Sequence, residues 1–306
     1  MPFIIDTEHG ILKKYFPQPG ETEVTVPDGI RMIDKFAFAG CDNLYAVRIP
    51  EGLTNIGAGA FKNCKNLLFV KLPESLARIG IEAFSGCESL GEISIPEQVD
   101  TIHDLTFIAC KNLRHAVLPK HMQKIGDKAF FGCTSLKKIR MPDTLHSLGV
   151  RAFCKCEKLT SVVIPEGVSL FGAYAFSDCA ELHFALIPES VERIWTNVFP
   201  PNTVLHFSIK NQMFSVPFVS HSYSNHIVNA FCQPELPQNT EIIIRDFIRQ
   251  NDSGSLERFL SCGFVTDQKI DEFIRFAIDN QKYESQVVLV DYKHKHIGYH
   301  TQNWEL

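Results

Sequence analysis

The apolar positions of this chain follow neither the 3.6-residue period of a long helix nor an unbroken alternation. From about residue 24 they read V-x-I-P-x-G-L-x-x-I-G-x-x-A-F-x-x-C-x-x-L-x-x, and the pattern returns every 23 residues. Prolines stand at 27, 50, 73, 96, 119, 142, 165 and 188. Phe38, Phe61, Phe84, Phe107, Phe130, Phe153, Phe176 and Phe199 keep the same interval, as do Cys41, Cys64, Cys87, Cys110, Cys133, Cys156 and Cys179. A leucine column from Leu44 to Leu205 follows three residues later, giving eight units without insertion or deletion. A fixed period of this size marks a solenoid, whose units cannot bury their apolar face alone and fold by stacking.

Within a unit, V-x-I alternates with period two and predicts a short strand with Val and Ile inward. Proline ends that strand because it has no N–H for the ladder, and the Gly that often follows suits a tight turn. I-G-x-x-A-F is too short for a helix and predicts an irregular or 3₁₀-like turn, its Gly and Ala allowing close packing and its Phe filling the interior. Residues 1–23 fall outside the pattern; FIIDTEHGILKKY predicts a β-hairpin turning near His9 and Gly10, a cap for the first coil. Residues 24–208 hold the repeats, and 209–237, with Pro217, Pro234 and Pro237, read as an exit strand and linker. From 238 to 306 apolar residues take helical spacing, with Thr266 or Asp267 capping one helix.

The segment IPEGLTNIGAGAFKNCKNLLFV, residues 49–70, resembles the BspA-type leucine-rich repeat at nearly every marked position, and the resemblance runs over about 24–208. It implies an α/β repeat solenoid: a curved leucine-rich-repeat stack with short parallel strands on one face, here followed by a small α-helical C-terminal region. That tail resembles the ankyrin-like helical segment of some proteins in the family. The family is mostly bacterial and is known mainly for interaction scaffolds, so the resemblance implies a protein or peptide partner.

Composition adds limits. A net charge of −5 over 306 residues excludes a molecule that is basic overall, and no nucleic-acid partner is expected. The 24 Phe beside 2 Trp and 7 Tyr reflect one interior slot filled many times. No window is apolar enough to span a bilayer, so no membrane insertion is expected. The N-terminus lacks a secretory pattern. Regular free cysteines fit a reducing compartment, so a cytoplasmic location is expected, or the cell surface if a leader was removed.

The chemistry-bearing residues mostly dissolve into the repeat. GAGAFK resembles a phosphate-binding loop, yet it recurs once per unit. Seven of the ten cysteines share one column, where a small buried thiol satisfies backbone groups, with Asn202 in the same slot. Cys154 and Cys156 form a lone C-x-C, and Cys232 and Cys262 lack neighbours at zinc-ligand spacing. His294, His296 and His300, or His221 and His226, offer only weak metal positions. No nucleophile elbow, H-E-x-x-H or Walker motif occurs, so neither catalysis nor a cofactor is expected. The acidic column after proline (Asp28, Glu51, Glu74, Glu97, Asp143, Glu166, Glu189) reads as turn chemistry on a solvated edge rather than a calcium site. His103 replaces the usual Gly and Thr106 the usual Ala, while Lys120 and His121 interrupt the acidic column; these departures fit either drift or a site.

The free positions are those either side of the inward strand residue. One outward column is Ala46, Phe69, Glu92, His115, Lys138, Ser161 and Phe184; the other is Arg48, Lys71, Ser94, Val117, Arg140, Val163 and Leu186. They predict a basic cluster of Arg114, His115, Lys137, Lys138 and Arg140, and an apolar stretch of Val163, Phe184 and Leu186 with Val117. With Arg48, Phe69 and Lys71, these form the candidate ligand-binding patch on the concave strand face. The expected role is a non-catalytic scaffold for a protein or peptide. The alternative is a cell-surface adhesin-type module for host glycoprotein or glycan.

Overall fold

The computed structural model describes residues 2–217 except 169, 189, 192–196, 202 and 210–211, and residues 241–296 except 242–243, 246, 250, 252, 261–264 and 266. Each 23-residue unit forms one coil of a solenoid. The V-x-I segments become strands Glu23–Thr25, Ala46–Arg48, Phe69–Lys71, Glu92–Ser94, His115–Val117, Lys138–Ile139, Ser161–Val163 and Phe184–Ile187. Neighbouring coils align in parallel one unit apart, so Val47 lies beside Val70 and Val162 beside Ala185. The central residue of each strand is buried and its neighbours face outward, as the period of two requires.

The I-G segment is more regular than the sequence reading expects. Its isoleucine closes a two-residue strand, as at Met32–Ile33, Asn55–Ile56, Arg78–Ile79, Thr101–Ile102, Lys124–Ile125 and Ser147–Leu148, and these stack into a second parallel ladder. Two residues cannot show an alternation, so the sequence carries no strand signal there. The G-x-x-A-F part is a turn, as expected, and it enters the left-handed region twice per coil. Leu105 and Ala109, for example, hold φ of 60°, a conformation that disfavours side chains with a Cβ.

The interior is a file of rings. Eight Phe side chains from Phe38 to Phe199 stack with centroids 4.9 to 5.5 Å apart. Tyr15, from the antiparallel hairpin Phe3–Asp6 and Ile11–Tyr15, continues the file 5.0 Å from Phe38. Its hydroxyl donates to Glu21 Oε2 at 2.6 Å, so the polar tip of this buried ring is satisfied. At the other end, Val204–Ile209 pairs in parallel with Phe184–Ile187 and in antiparallel with Gln212–Pro217. Helices α1 (Ser253–Leu260), α2 (Asp267–Asp279) and α3 (Tyr283–His296) follow, with α1 and α2 both packed on α3. The expected linker over 218–237 and the cap residue Thr266 lie outside the described residues. Among the described residues, no helix is long and apolar enough to cross a membrane.

Candidate functional site

The first strand ladder presents the outward columns, but it is divided into three sheets. Glu23–Thr25, Ala46–Arg48 and Phe69–Lys71 form one; Glu92–Ser94, His115–Val117 and Lys138–Ile139 the next; Ser161–Val163 begins the third. The predicted residues sort accordingly. In the first sheet Arg48 is beside Lys71 and Ala46 beside Phe69. Arg48 reaches Glu23 only at 3.9 Å, with both side chains mostly in water. In the second, His115 stands between Glu92 and Lys138; Arg114, Lys137, Lys138 and Arg140 are all exposed around it. In the third, Val163 is beside Leu186, and half-buried Phe184 lies between Ser161 and Val204. In the two outward columns three apolar side chains remain well exposed, Phe69 at 48%, Val117 at 59% and Val163 at 54%, and Tyr45 and Leu68 are exposed at the strand entrances. Val117, grouped with Val163 on sequence, instead lines a cleft with Phe69.

On the second ladder, at the coil junction beneath part of that cleft, stands His103. In the glycine column a Cβ would strike the preceding coil: at Gly57 it would lie 2.7 Å from Lys35 N, at Gly80 2.6 Å from Ala58 N, and at Gly126 2.7 Å from Asp104 N. Real Cβ atoms do not approach backbone so closely, so these positions admit only glycine while the coils stay in contact. His103 carries a Cβ. Elsewhere three backbone bonds recur at the second ladder, as in Thr54 and Asn55 N–H to Arg31 O (2.8 and 3.3 Å) and Gly57 N–H to Ile33 O (2.8 Å). Among the described residues none has a counterpart from Asp100, Thr101 or His103 to the coil before. The first ladder is also interrupted there, Phe69–Lys71 and Glu92–Ser94 being unpaired with only Gly91 N–H to Leu68 O at 3.4 Å across the junction, and it is interrupted again between Lys138–Ile139 and Ser161–Val163, where the second ladder runs on. The turn side stays bonded, through Phe84 N–H to Thr106 O at 2.9 Å and Gly86 N–H to Ile108 O at 2.8 Å. Thr106, buried, turns its hydroxyl to His103 O at 2.8 Å. The departures at 103 and 106 thus belong to one seam, open at the second ladder and closed on the turn side.

On the strand face a cleft of about 460 Å³ lies over Phe69–Lys71, Glu92–Ser94 and His115–Val117. Phe69, Val117 and Leu118 give it apolar walls; Lys71, Glu74, Glu92, Glu97, Ser94 and His115 surround them. Sequence reasoning placed Glu92 and Ser94 on the outer face but gave no reason to join them. In the glycine column three positions depart from glycine, Asp34 beside the hairpin, His103 inside the stack and Trp195 near its end.

The remaining chemistry is structural. Each thiol from Cys64 to Cys179 in the column donates to the carbonyl of the Phe that stands 26 residues earlier, at 3.0 to 3.3 Å. Burial pushes Cys41 up to about 11 and Cys64 and Cys179 to about 12, and raises Cys87, Cys110, Cys133 and Cys156 further. These are poor nucleophiles. Cys154 lies off the column and accepts from Ser177 Oγ at 3.1 Å. It borders a second hollow of about 820 Å³, where Arg151 lies over Tyr174 and Lys155 over Phe131. In the acidic column, Glu97 Oε2 accepts from Lys120 N–H at 3.0 Å and Glu51 Oε1 from Glu74 N–H at 3.4 Å, bonds that stitch turns of adjacent coils. Among the described residues no group of three or more His, Cys, Asp or Glu is placed to hold a metal. His294 is in the last turns of α3; the His296 side chain, His300, His221, His226, Cys232, Cys262 and Asn202 lie outside the described residues.

Residues 10–131 and 102–227 match the profile of a family described as a BspA type leucine rich repeat region, in six copies. No curated protein matches the chain. Among solved structures, a leucine-rich repeat protein of T. pallidum is 28% identical with a TM-score of 0.53, over 59% of this chain and 86% of the other. A leucine-rich cell surface protein of Faecalibacterium prausnitzii is 24% identical with a TM-score of 0.45, over 68% of this chain and 74% of its own.

Proposed function

The chain belongs to the BspA-type leucine-rich repeat family, and from that premise we propose that it is a non-catalytic scaffold whose strand face binds a protein or peptide partner. The observation that carries the reading is the contrast between the two kinds of strand position. The inward residues are confined to small and branched apolar side chains, whereas the outward columns hold Arg48, Phe69, Lys71, His115, Lys138, Arg140, Val163, Phe184 and Leu186 without any repeat. Exposed apolar residues beside a basic cluster suit a protein interface, in which apolar contacts supply affinity and charges supply orientation. Arg114 and Lys137 extend the cluster to the strand entrances. The buried, carbonyl-bonded thiols support the absence of a cysteine nucleophile.

An acidic peptide tests this reading. In fluorescence anisotropy the Lys138→Glu/Arg140→Glu chain is expected to bind a fluorescein-labelled poly-Glu dodecapeptide at least ten-fold more weakly than wild type at low salt, with a flatter salt dependence. Equal affinities and equal salt slopes would remove the basic cluster from the site.

A further inference from the structure

We infer that the strand-face cleft is a pocket for the cationic side chain, Lys or Arg, of an extended peptide whose acidic residues lie over the basic cluster. The inference rests on the strand-face reading above and gives that face a direction.

The cleft and the cluster have opposite character. Around the cleft three carboxylates, Glu74, Glu92 and Glu97, outnumber one ammonium, Lys71, with His115 shared between the cleft and the cluster, while Phe69 and Val117 supply apolar wall. A long cationic side chain matches this combination, laying its methylene stem on the apolar surface and its head among the carboxylates. A volume of about 460 Å³ holds such a side chain with its water. The next two strands carry Arg114, His115, Lys137, Lys138 and Arg140, all exposed, which favours carboxylates. A nucleic acid backbone fits the cluster but is repelled by the cleft, so the pair of sites selects a ligand that changes sign along its length. Coils advance by about 4.8 Å, so the centre of the cleft is roughly 12 Å from Lys138. An extended peptide rises about 3.3 Å per residue, which places the cation three or four residues from the acids.

The test uses fluorescein-labelled dodecapeptides with one Lys separated from a Glu-Glu pair by one, three or eight residues, in both chain directions, and the same peptides with Ser for Lys. Binding to the full chain is followed by anisotropy. The expected result is tightest binding at the three-residue spacing, weakened about five-fold by Glu92→Gln for the Lys peptides and unchanged for the Ser peptides. Binding that depends on Glu but not on Lys or spacing overturns the cleft assignment and leaves the strand-face reading standing. A wild-type chain that binds none of the peptides, or binds a dT12 oligonucleotide more tightly than all of them, overturns both.

Discussion

If a Cβ in the glycine column opened the seam at His103, placing one elsewhere should open a second. Gly149 is the cleanest position. Its φ is not in the left-handed range, so alanine meets no conformational strain, only space: its Cβ would press on Gly126 C and lie 2.5 Å from Asp127 N. Both are backbone, so no side chain can rotate away. The coils must separate, and the bonds at risk are Gly149 N–H to Ile125 O (2.8 Å), His146 N–H to Gln123 O (3.0 Å) and Ser147 N–H to Gln123 O (3.3 Å). At about 1 kcal/mol each, less about 1 kcal/mol because alanine loses less backbone freedom than glycine, Gly149→Ala should destabilise by roughly 2 kcal/mol. Gly91→Ala is the control: no atom lies within 4 Å of its Cβ and its φ is ordinary, so it should be neutral or gain up to about 1 kcal/mol. Urea unfolding followed by circular dichroism gives the stabilities. Amide exchange locates the change, since Gly149, His146 and Ser147 should lose protection while Phe153 N–H, bonded to Ala175 O at 2.8 Å, keeps it. Equal stabilities for the two variants, or unchanged protection at Gly149, would refute the steric account of the column and with it the origin assigned to the seam.

The thiol column makes the fold sensitive to alkali. Below pH 9 the thiols are protonated both folded and unfolded; above it the unfolded chain releases protons that the folded chain retains, so stability falls as pH rises toward the folded values. A fully buried thiol such as Cys110 should contribute about −1.4 kcal/mol per pH unit above 9, and Cys110→Val should flatten the measured stability curve by that amount; an unchanged slope contradicts the burial argument. Ala109, at φ 60°, shares its column with Gly40, Gly86 and Gly132, all at positive φ. Ala109→Gly should therefore stabilise by about 0.5–1 kcal/mol in urea titrations, and a loss would show that the left-handed turn tolerates a Cβ without strain.

The solenoid was legible because its period is exact over eight units and each repeated residue has one physical duty. The outward columns followed from strand alternation alone. The second ladder did not, since strands such as Asn55–Ile56 are too short for any periodicity. Nor did the division into three sheets. His103 was visible as a departure, but its effect depends on how near Gly80 comes to Ala58, and that distance is a property of stacked coils rather than of any one segment. In the tail, helical spacing announced α1, α2 and α3, while residues 218–240 before them lie outside the described residues.

The aromatic file has a consequence for how the chain finds its register. Eight equivalent rings at nearly equal spacing make every coil an acceptable neighbour for every other, so the interior by itself cannot distinguish a correct stack from one that skips a unit and loops out 23 residues. The information that forbids the slip must come from places where the repeat is broken. Tyr15, tied to Glu21, marks where the file begins. The pair His103 and Thr106 marks an interior position, because there a Cβ stands in the glycine column between units that carry Gly80 and Gly126. In a molecule built from copies, these exceptions serve as addresses.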